Sequence, residues 1–394
     1  MLFQKVLKQS LAPSFISLTG LMFSASILSK LELSDIDIGI PFKVLEQLTV
    51  LVPVMSNLNG NFELNLSCRL GTCANSGKLN LSSQRMRIFR GNVKFMLIQS
   101  IVLGIFCASF AITVSGVVGI LSSLREFVIL TVAAMLTVIS GTLVLGTFMN
   151  FLIVICVSFD LDPDNIAAPI ACAFGDATTL LFFILIANFC LLDSTGFICF
   201  GVLIALTLLA FKLHVDIDDP ENDWLHPKSL WSYLPYIISI CITTFCGLAL
   251  EEELNDFKGL ASLAPVINGL SGGNTCIYAS RLTTSFSLNR TEDSKEVILA
   301  IWALTLSNVM TLLIISSIFG ITVITTRLFI GSLLTFHICL FLLVRFVRPF
   351  CEYLNTKEID LDAVVLPILT ALGDLGTIVY ILVFLILDML AQFF

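Results

Sequence analysis

Charge is what this sequence has least of. Only 13% of its 394 residues are charged, against about 25% in an ordinary soluble domain. Histidine is nearly absent at three residues, two of them (His214 and His226) in one loop, so a soft-metal site built on imidazole has little to draw on. Trp (3) and Tyr (5) are too few to mark an aromatic belt. The twelve cysteines form no C-x-x-C pair, and Cys107, Cys156, Cys190, Cys241 and Cys339 fall inside apolar runs, where they read as small core residues. What fills the chain instead is apolar: 57% hydrophobic residues, 32 Phe and a mean hydropathy of +0.98. That composition excludes a soluble domain and describes an all-α polytopic membrane protein with the lipid bilayer as its surroundings. The net charge of −8 lies mostly in loops and gives no reason to expect a nucleic-acid partner.

Eleven apolar segments follow one another, at about 11–29, 44–70, 95–121, 127–158, 166–190, 196–213, 231–250, 260–284, 297–322, 328–347 and 363–391. Most approach or exceed the ~20 residues that a membrane helix needs. The first has two readings. Lys5 and Lys8 ahead of an apolar run resemble the start of a signal peptide, with Ser24-Ala25-Ser26 as a cleavage candidate. Pro13 and the length of the run to Leu28 favour a retained helix, the reading we prefer. The second and eighth segments are polar for membrane spans and are interrupted by Pro53 and Pro265. Such helices survive in lipid where neighbours or a water-filled cavity satisfy their polar groups.

One acidic pattern is written twice. Asp162-Pro163-Asp164, Pro169 and Gly175-Asp176 recur as Asp360-Leu361-Asp362, Pro367 and Gly373-Asp374, with fourteen residues from first to last Asp in each. The offset is 198, while Pro53 and Arg69 match Pro265 and Arg281 at an offset of 212. The repeat unit is therefore five helices, with the sixth segment as a linker: residues 1–192, 193–228 and 229–394. Five is odd, so the linker helix restores a common orientation and makes the repeats parallel, about an axis along the membrane normal. Sixteen of the 21 Lys and Arg residues lie on the N-terminal side of this arrangement, which predicts a cytoplasmic N-terminus and an extracellular C-terminus.

Asp176 lies about ten residues into the fifth segment and Asp374 at a similar place in the eleventh. At 1.5 Å per residue that is roughly 15 Å, near the midplane of a ~30 Å hydrocarbon core. A carboxylate there costs about 2.5–3.5 kcal/mol on insertion scales and is a functional candidate by default. Neither span contains a basic residue, and the nearest intramembrane candidates are Arg69 and Arg281. Duplicated carboxylates at matched depth point to a cation site between the repeats. For Asp162, Asp164, Asp360 and Asp362 two roles stand side by side: helix N-caps, or an acidic metal-attracting ring at the inner mouth. Asn57, Asn61 and Glu63 in the second segment and Asn268 and Asn274 in the eighth are the expected polar lining of the path. Oxygen ligands suit a hard divalent ion, and few carboxylates suit Mg²⁺, which keeps several waters. No cofactor is expected.

Four motifs in order carry a resemblance. Pro53 to Gly60-Asn61-Phe62-Glu63, Ser67-Cys68-Arg69-Leu70, and Asp162-Pro163-Asp164-Asn165 to Gly175-Asp176 resemble the solute carrier 41 transporters, the tandem-duplicated relatives of bacterial MgtE magnesium channels. The second copy matches through Pro265 to Gly269, Ser280-Arg281-Leu282 and Leu369 to Asp374. The resemblance implies Mg²⁺ transport by one chain holding both copies of a pore unit, with Asp176 and Asp374 as the pore acids. A single chain is then expected to suffice for one pore, and the family resemblance leaves channel and Na⁺-coupled exchanger open. The plasma membrane is the expected location, there being no Arg-rich transit segment. Two departures bear on the second copy: Leu361 replaces a Pro, which predicts a differently shaped mouth, and the Gly-Gly-Asn run is displaced by one residue around Asn274. The alternative from another class is an intramembrane aspartyl protease using Asp176 and Asp374. Against it, Ala173 and Ala371 stand where its Gly-x-Gly-Asp signature needs Gly.

Overall fold

A computed structural model describes residues 2–33, 47–117, 123–190, 196–217, 232–253, 260–290, 294–318 and 326–393. Among these residues the chain is helical throughout, apart from short turns. The first half comprises α1 (Leu2–Leu33), α2 (Gln47–Asn75), α3 (Ser82–Val117), α4 (Leu124–Ser158) and α5 (Pro163–Cys190), followed by α6 (Gly196–Ile217). The second comprises α7 (Leu234–Glu253), α8 (Leu260–Ser287), α9 (Ser294–Ile318), α10 (Thr326–Thr356), α11 (Leu361–Asp374) and α12 (Gly376–Phe393). Where its residues are described, each of the eleven apolar segments is helical, and the last is broken in two. The break falls at Leu375, immediately after Asp374, where Ile378 N–H donates back to the Leu375 carbonyl at 3.0 Å. Gly373 and Gly376 flank it, so the backbone gives way where it is least hindered.

Among the described residues six spans are long and apolar enough to cross a bilayer, including α3, α4, α5 and the joined α11–α12 segment. The helices α2 and α8 fall short on apolarity, as their Asn, Ser and Thr content requires. They compensate by position, with most of their described side chains buried against other helices. The opposite holds for α6, which packs on α3 and α4. Its outer face presents Phe197, Phe200, Leu208 and Phe211, all exposed, as a lipid-facing helix must.

The repeat is visible in the backbone. After α2, Gly77 adopts a φ of +78°, and 212 residues on Asn289 adopts +50° after α8. Both turns close the same way: Lys78 N–H donates to the Cys73 carbonyl at 3.1 Å, and Arg290 N–H to the Ser285 carbonyl at 2.8 Å. After α4 and α10, Asp160 (φ 54°) and Glu358 (φ 56°) keep the 198-residue offset. The following helices then start alike. Asp162 Oδ1 accepts the Asp164 N–H at 3.2 Å, and Asp360 Oδ1 accepts the Asp362 N–H at 3.1 Å. Leu361 in place of Pro163 therefore leaves the helix cap itself unchanged. The first helical position needs no intrahelical N–H, so Pro and Leu serve equally well there.

Packing interlocks the two halves. α1 lies on α5 of its own repeat and on α8 and α9 of the other, while α7 lies on α11 and α12 and on α2. At the centre α2 meets α8 and α11, and α5 meets α8. One hydrophobic cluster runs through both repeats, joining Leu58 and Phe62 of α2 to Ile277 of α8 and Leu366 of α11. The two halves thus share a core and fold against each other.

Candidate functional site

Two polar layers cross this centre. The first lies where α5 and α11 begin, and the repeats trade partners there. Arg281 of α8 pairs with Asp162 ahead of α5, and Arg69 of α2 pairs with Asp360 ahead of α11 at 3.2 Å. Arg281 also donates to Asn165 Oδ1 at 3.0 Å, while Arg69 stacks over the Phe95 ring at 4.9 Å. The second acids are matched too. Ser280 Oγ donates to Asp164 Oδ1 at 2.7 Å, and its counterpart Cys68 donates to Asp362 Oδ1 at 3.2 Å. Asn75 adds a bond to Asp164 Oδ2 at 2.8 Å. Between the two halves, Thr72 and Thr284 share a hydrogen bond of 3.0 Å, again 212 residues apart.

These acids are accordingly engaged by the protein itself. Asp162 and Asp360 are N-caps and ion-pair partners at once. Asp164 and Asp362 are buried in hydroxyl, thiol and amide bonds. Arg69 and Arg281, the intramembrane candidates to pair with the midplane acids, belong to this layer instead.

The second layer is the midplane. Asp176 is fourteenth of the 28 residues of α5, and Asp374 ends α11. Both half-buried carboxylates flank the same stretch of α2. Asp374 Oδ2 accepts from Thr243 of α7 and from Asn57 Nδ2 at 3.4 Å. On the other flank, α5 crosses α2 at Gly175 and Gly60. A Cβ on Gly175 would lie 3.1 Å from the Gly60 Cα and 3.4 Å from Glu63 Oε2. Asp176 is within electrostatic range of both Glu63 and Asp374. Asn57 and Asn61 form one stripe of α2, with Ser239 of α7 bonded to both and Thr370 of α11 donating to Asn61 Oδ1. A second stripe, Asn59 and Glu63, turns toward α4 and α5. Asn59 Nδ2 reaches Thr179 Oγ1 at 2.8 Å.

Of the expected lining, Asn57, Asn61 and Glu63 thus gather with Asp176 and Asp374. Asn274 does not. It binds Ser14 of α1 at 3.3 Å and Thr305 of α9 at 3.1 Å, with Asn308 completing the cluster. The displaced Gly-Gly-Asn run explains this, because Gly273 occupies the position equivalent to Asn61. The side chain of Asn268 lies outside the described residues. Thr243, Ser239 and Thr370 complete this lining, and they are common polar types that no sequence motif singles out. Cys68 and Ser280 were legible, since each precedes a repeat arginine. Among the described residues no three of His, Cys, Asp and Glu converge on one point.

Comparison with known proteins agrees with this architecture. The model of the MgtE family, described as a divalent cation transporter, matches twice, over residues 52–186 and 264–384. Solute carrier family 41 member 3 of Rattus norvegicus is 30% identical over 250 residues, covering 62% of this chain and 53% of the relative. Member 2 of the same family from Xenopus laevis is 28% identical over 284 residues, or 71% and 49%. Member 2 from Homo sapiens is 28% identical over 252 residues. The chain spans about half the length of the curated relatives it matches. These relatives are named as solute carriers rather than as enzymes. No solved structure matches the chain. With the family model covering both repeats, the chain belongs to the MgtE family of divalent cation transporters.

Proposed function

We infer that the protein transports Mg²⁺ along a path between its two repeats, with Asp176 and Asp374 as the carboxylates that attract the ion at mid-depth. One observation carries the reading: acids from equivalent positions of the two repeats flank a single polar stretch of α2. Carboxylates inside a membrane span are expensive, and a passing cation offsets that cost. Two carboxylates backed by Asn57, Asn61, Thr243 and Thr370 suit a largely hydrated hard ion, with the amides and hydroxyls bonding its water shell. Mg²⁺ fits this better than Ca²⁺, which takes six to eight oxygen ligands directly. The carrier names of the relatives support transport and set the protease alternative aside. One chain then forms one pore, in the plasma membrane, with the N-terminus cytoplasmic.

Flux in proteoliposomes tests this. Mg²⁺ uptake should fall sharply in Asp176→Asn and in Asp374→Asn, each at normal protein incorporation. Full uptake by the double variant would sink the path. Repeating the measurement with and without a Na⁺ gradient separates the two modes, because only an exchanger responds to it.

A further inference from the structure

The two midplane acids are not equivalent, although the repeat makes them look so. Asp374 is engaged by Thr243 and Asn57. Asp176 makes no hydrogen bond to any described residue, and a second carboxylate, Glu63, has its Oε2 3.4 Å from where a Cβ on the preceding Gly175 would stand. Glu63 is fully buried, at 0% exposure, and neither of its oxygens has a hydrogen-bond partner among the described residues. One turn away on the same stripe, the equally buried Asn59 Oδ1 also lacks a partner, while its Nδ2 is spent on Thr179. At the equivalent place in α8 the residue for Glu63 is Thr275, whose hydroxyl is satisfied by the Ser271 carbonyl. At the place of Asn59 the second repeat has Ser271, a hydroxyl also without a partner, so among the described residues of α2 and α8 it is the first repeat that adds an unpartnered carboxylate.

A buried acceptor with no donor calls for an explanation, and a carboxylate most of all. The five side-chain oxygens of Glu63, Asp176 and Asn59, without a donor among the described residues, form an environment that a cation completes and a neutral ligand does not. The glycine crossing brings the α5 backbone to Glu63, and a side chain at position 175 would fill the gap.

We propose that Glu63 and Asp176, with the carbonyl of Asn59, form a direct binding site for the transported divalent cation that only the first repeat possesses, while Asp374, held by Thr243 and Asn57, conducts the ion without binding it directly. This rests on the transport reading above and adds an asymmetry to it. The ion's coordination is then completed by water, consistent with so few protein ligands.

Thermal unfolding of the purified full chain, with Mg²⁺ titrated from zero, separates the possibilities, because a ligand bound to the folded state raises the unfolding temperature. Glu63→Gln should unfold at a higher temperature than the native chain without Mg²⁺, the buried charge being gone. It should also need at least roughly tenfold more Mg²⁺ for the same shift. Asp374→Asn should keep the Mg²⁺ shift and lose flux. On the unmutated chain, a membrane-permeant carbodiimide should modify Glu63, and Mg²⁺ should protect it, as read by peptide mass spectrometry. Glu63→Gln with the native Mg²⁺ titration overturns the proposal, as does modification of Glu63 that Mg²⁺ leaves unchanged, or no modification at all. If that happens while Asp176→Asn still abolishes flux, the path stands and only the asymmetric site falls. If flux survives loss of both aspartates, the transport path itself is wrong.

Discussion

At the scale of single residues, glycine shows how tightly the first polar layer is built. A Cβ on Gly71 would lie 2.5 Å from Asp164 Oδ1, the same oxygen that accepts from Ser280. Asp164 cannot swing aside freely, because Asn75 holds its other oxygen. Overpacking of this kind costs about 1–3 kcal/mol, so Gly71→Ala should lower the unfolding temperature clearly. Gly201 on α6 meets nothing within 4 Å of such a Cβ. There the substitution should be neutral or stabilise by up to about 1 kcal/mol through helix propensity. Equal effects at the two sites would mean that the contact at Asp164 does not constrain α2. The pattern Arg-Leu-Gly in one repeat against Arg-Leu-Thr in the other was plain in the sequence, but not its meaning. That meaning depends on which side chain comes across from α5, and no local pattern encodes it.

Helix starts are the elements in which charge, capping and inter-repeat contact combine. Asp162 and Asp360 both cap a helix and both pair with an arginine of the other repeat, yet the pairs differ in exposure. Arg281 and Asp162 are 10% and 16% exposed, whereas Arg69 and Asp360 are 11% and 44% exposed. Breaking a buried pair costs about 3–5 kcal/mol, while a solvent-exposed pair is worth about 0–1 kcal/mol. An Asn caps a helix about as well as an Asp, so Asp→Asn removes the charge and leaves the cap. Asp162→Asn should therefore lower the unfolding temperature substantially, and Asp360→Asn only slightly. Similar losses in both would show that exposure does not decide the strength of these ties. The capping role was readable from Asp before Pro163 and before Leu361. The exchange of arginines between repeats was not, because it depends on how the halves face each other. The break in the last span was equally hidden, since Gly175 and Gly373 stand at equivalent places but only the second adjoins a further glycine, Gly376.

The whole molecule was legible where physics is periodic and additive. Apolar runs separated by polar turns located every span, and two constant offsets exposed the repeat, which the turns at Gly77 and Asn289 repeat in their backbone angles. Orientation is a separate matter, resting on sixteen basic residues on one face against five on the other. It leads to a definite arrangement of the helices. If all eleven segments cross the bilayer, the N-terminal end of α1 and the C-terminal end of α12 lie on opposite faces, and the proposed orientation puts the turn after α2, containing Lys78, in the cytoplasm. Reporter tags at the two ends of this chain, probed in intact and in permeabilised cells, should become accessible under different conditions, the N-terminal one only after permeabilisation. A tag inserted at Leu81, which is exposed in the α2–α3 turn, should behave like the N-terminal one. If both ends respond alike, the number of crossings is even, and α1 is the span to lose. The Arg69–Asp360 and Arg281–Asp162 layer would then still join the repeats, but its assignment to the cytoplasmic face would have to be abandoned.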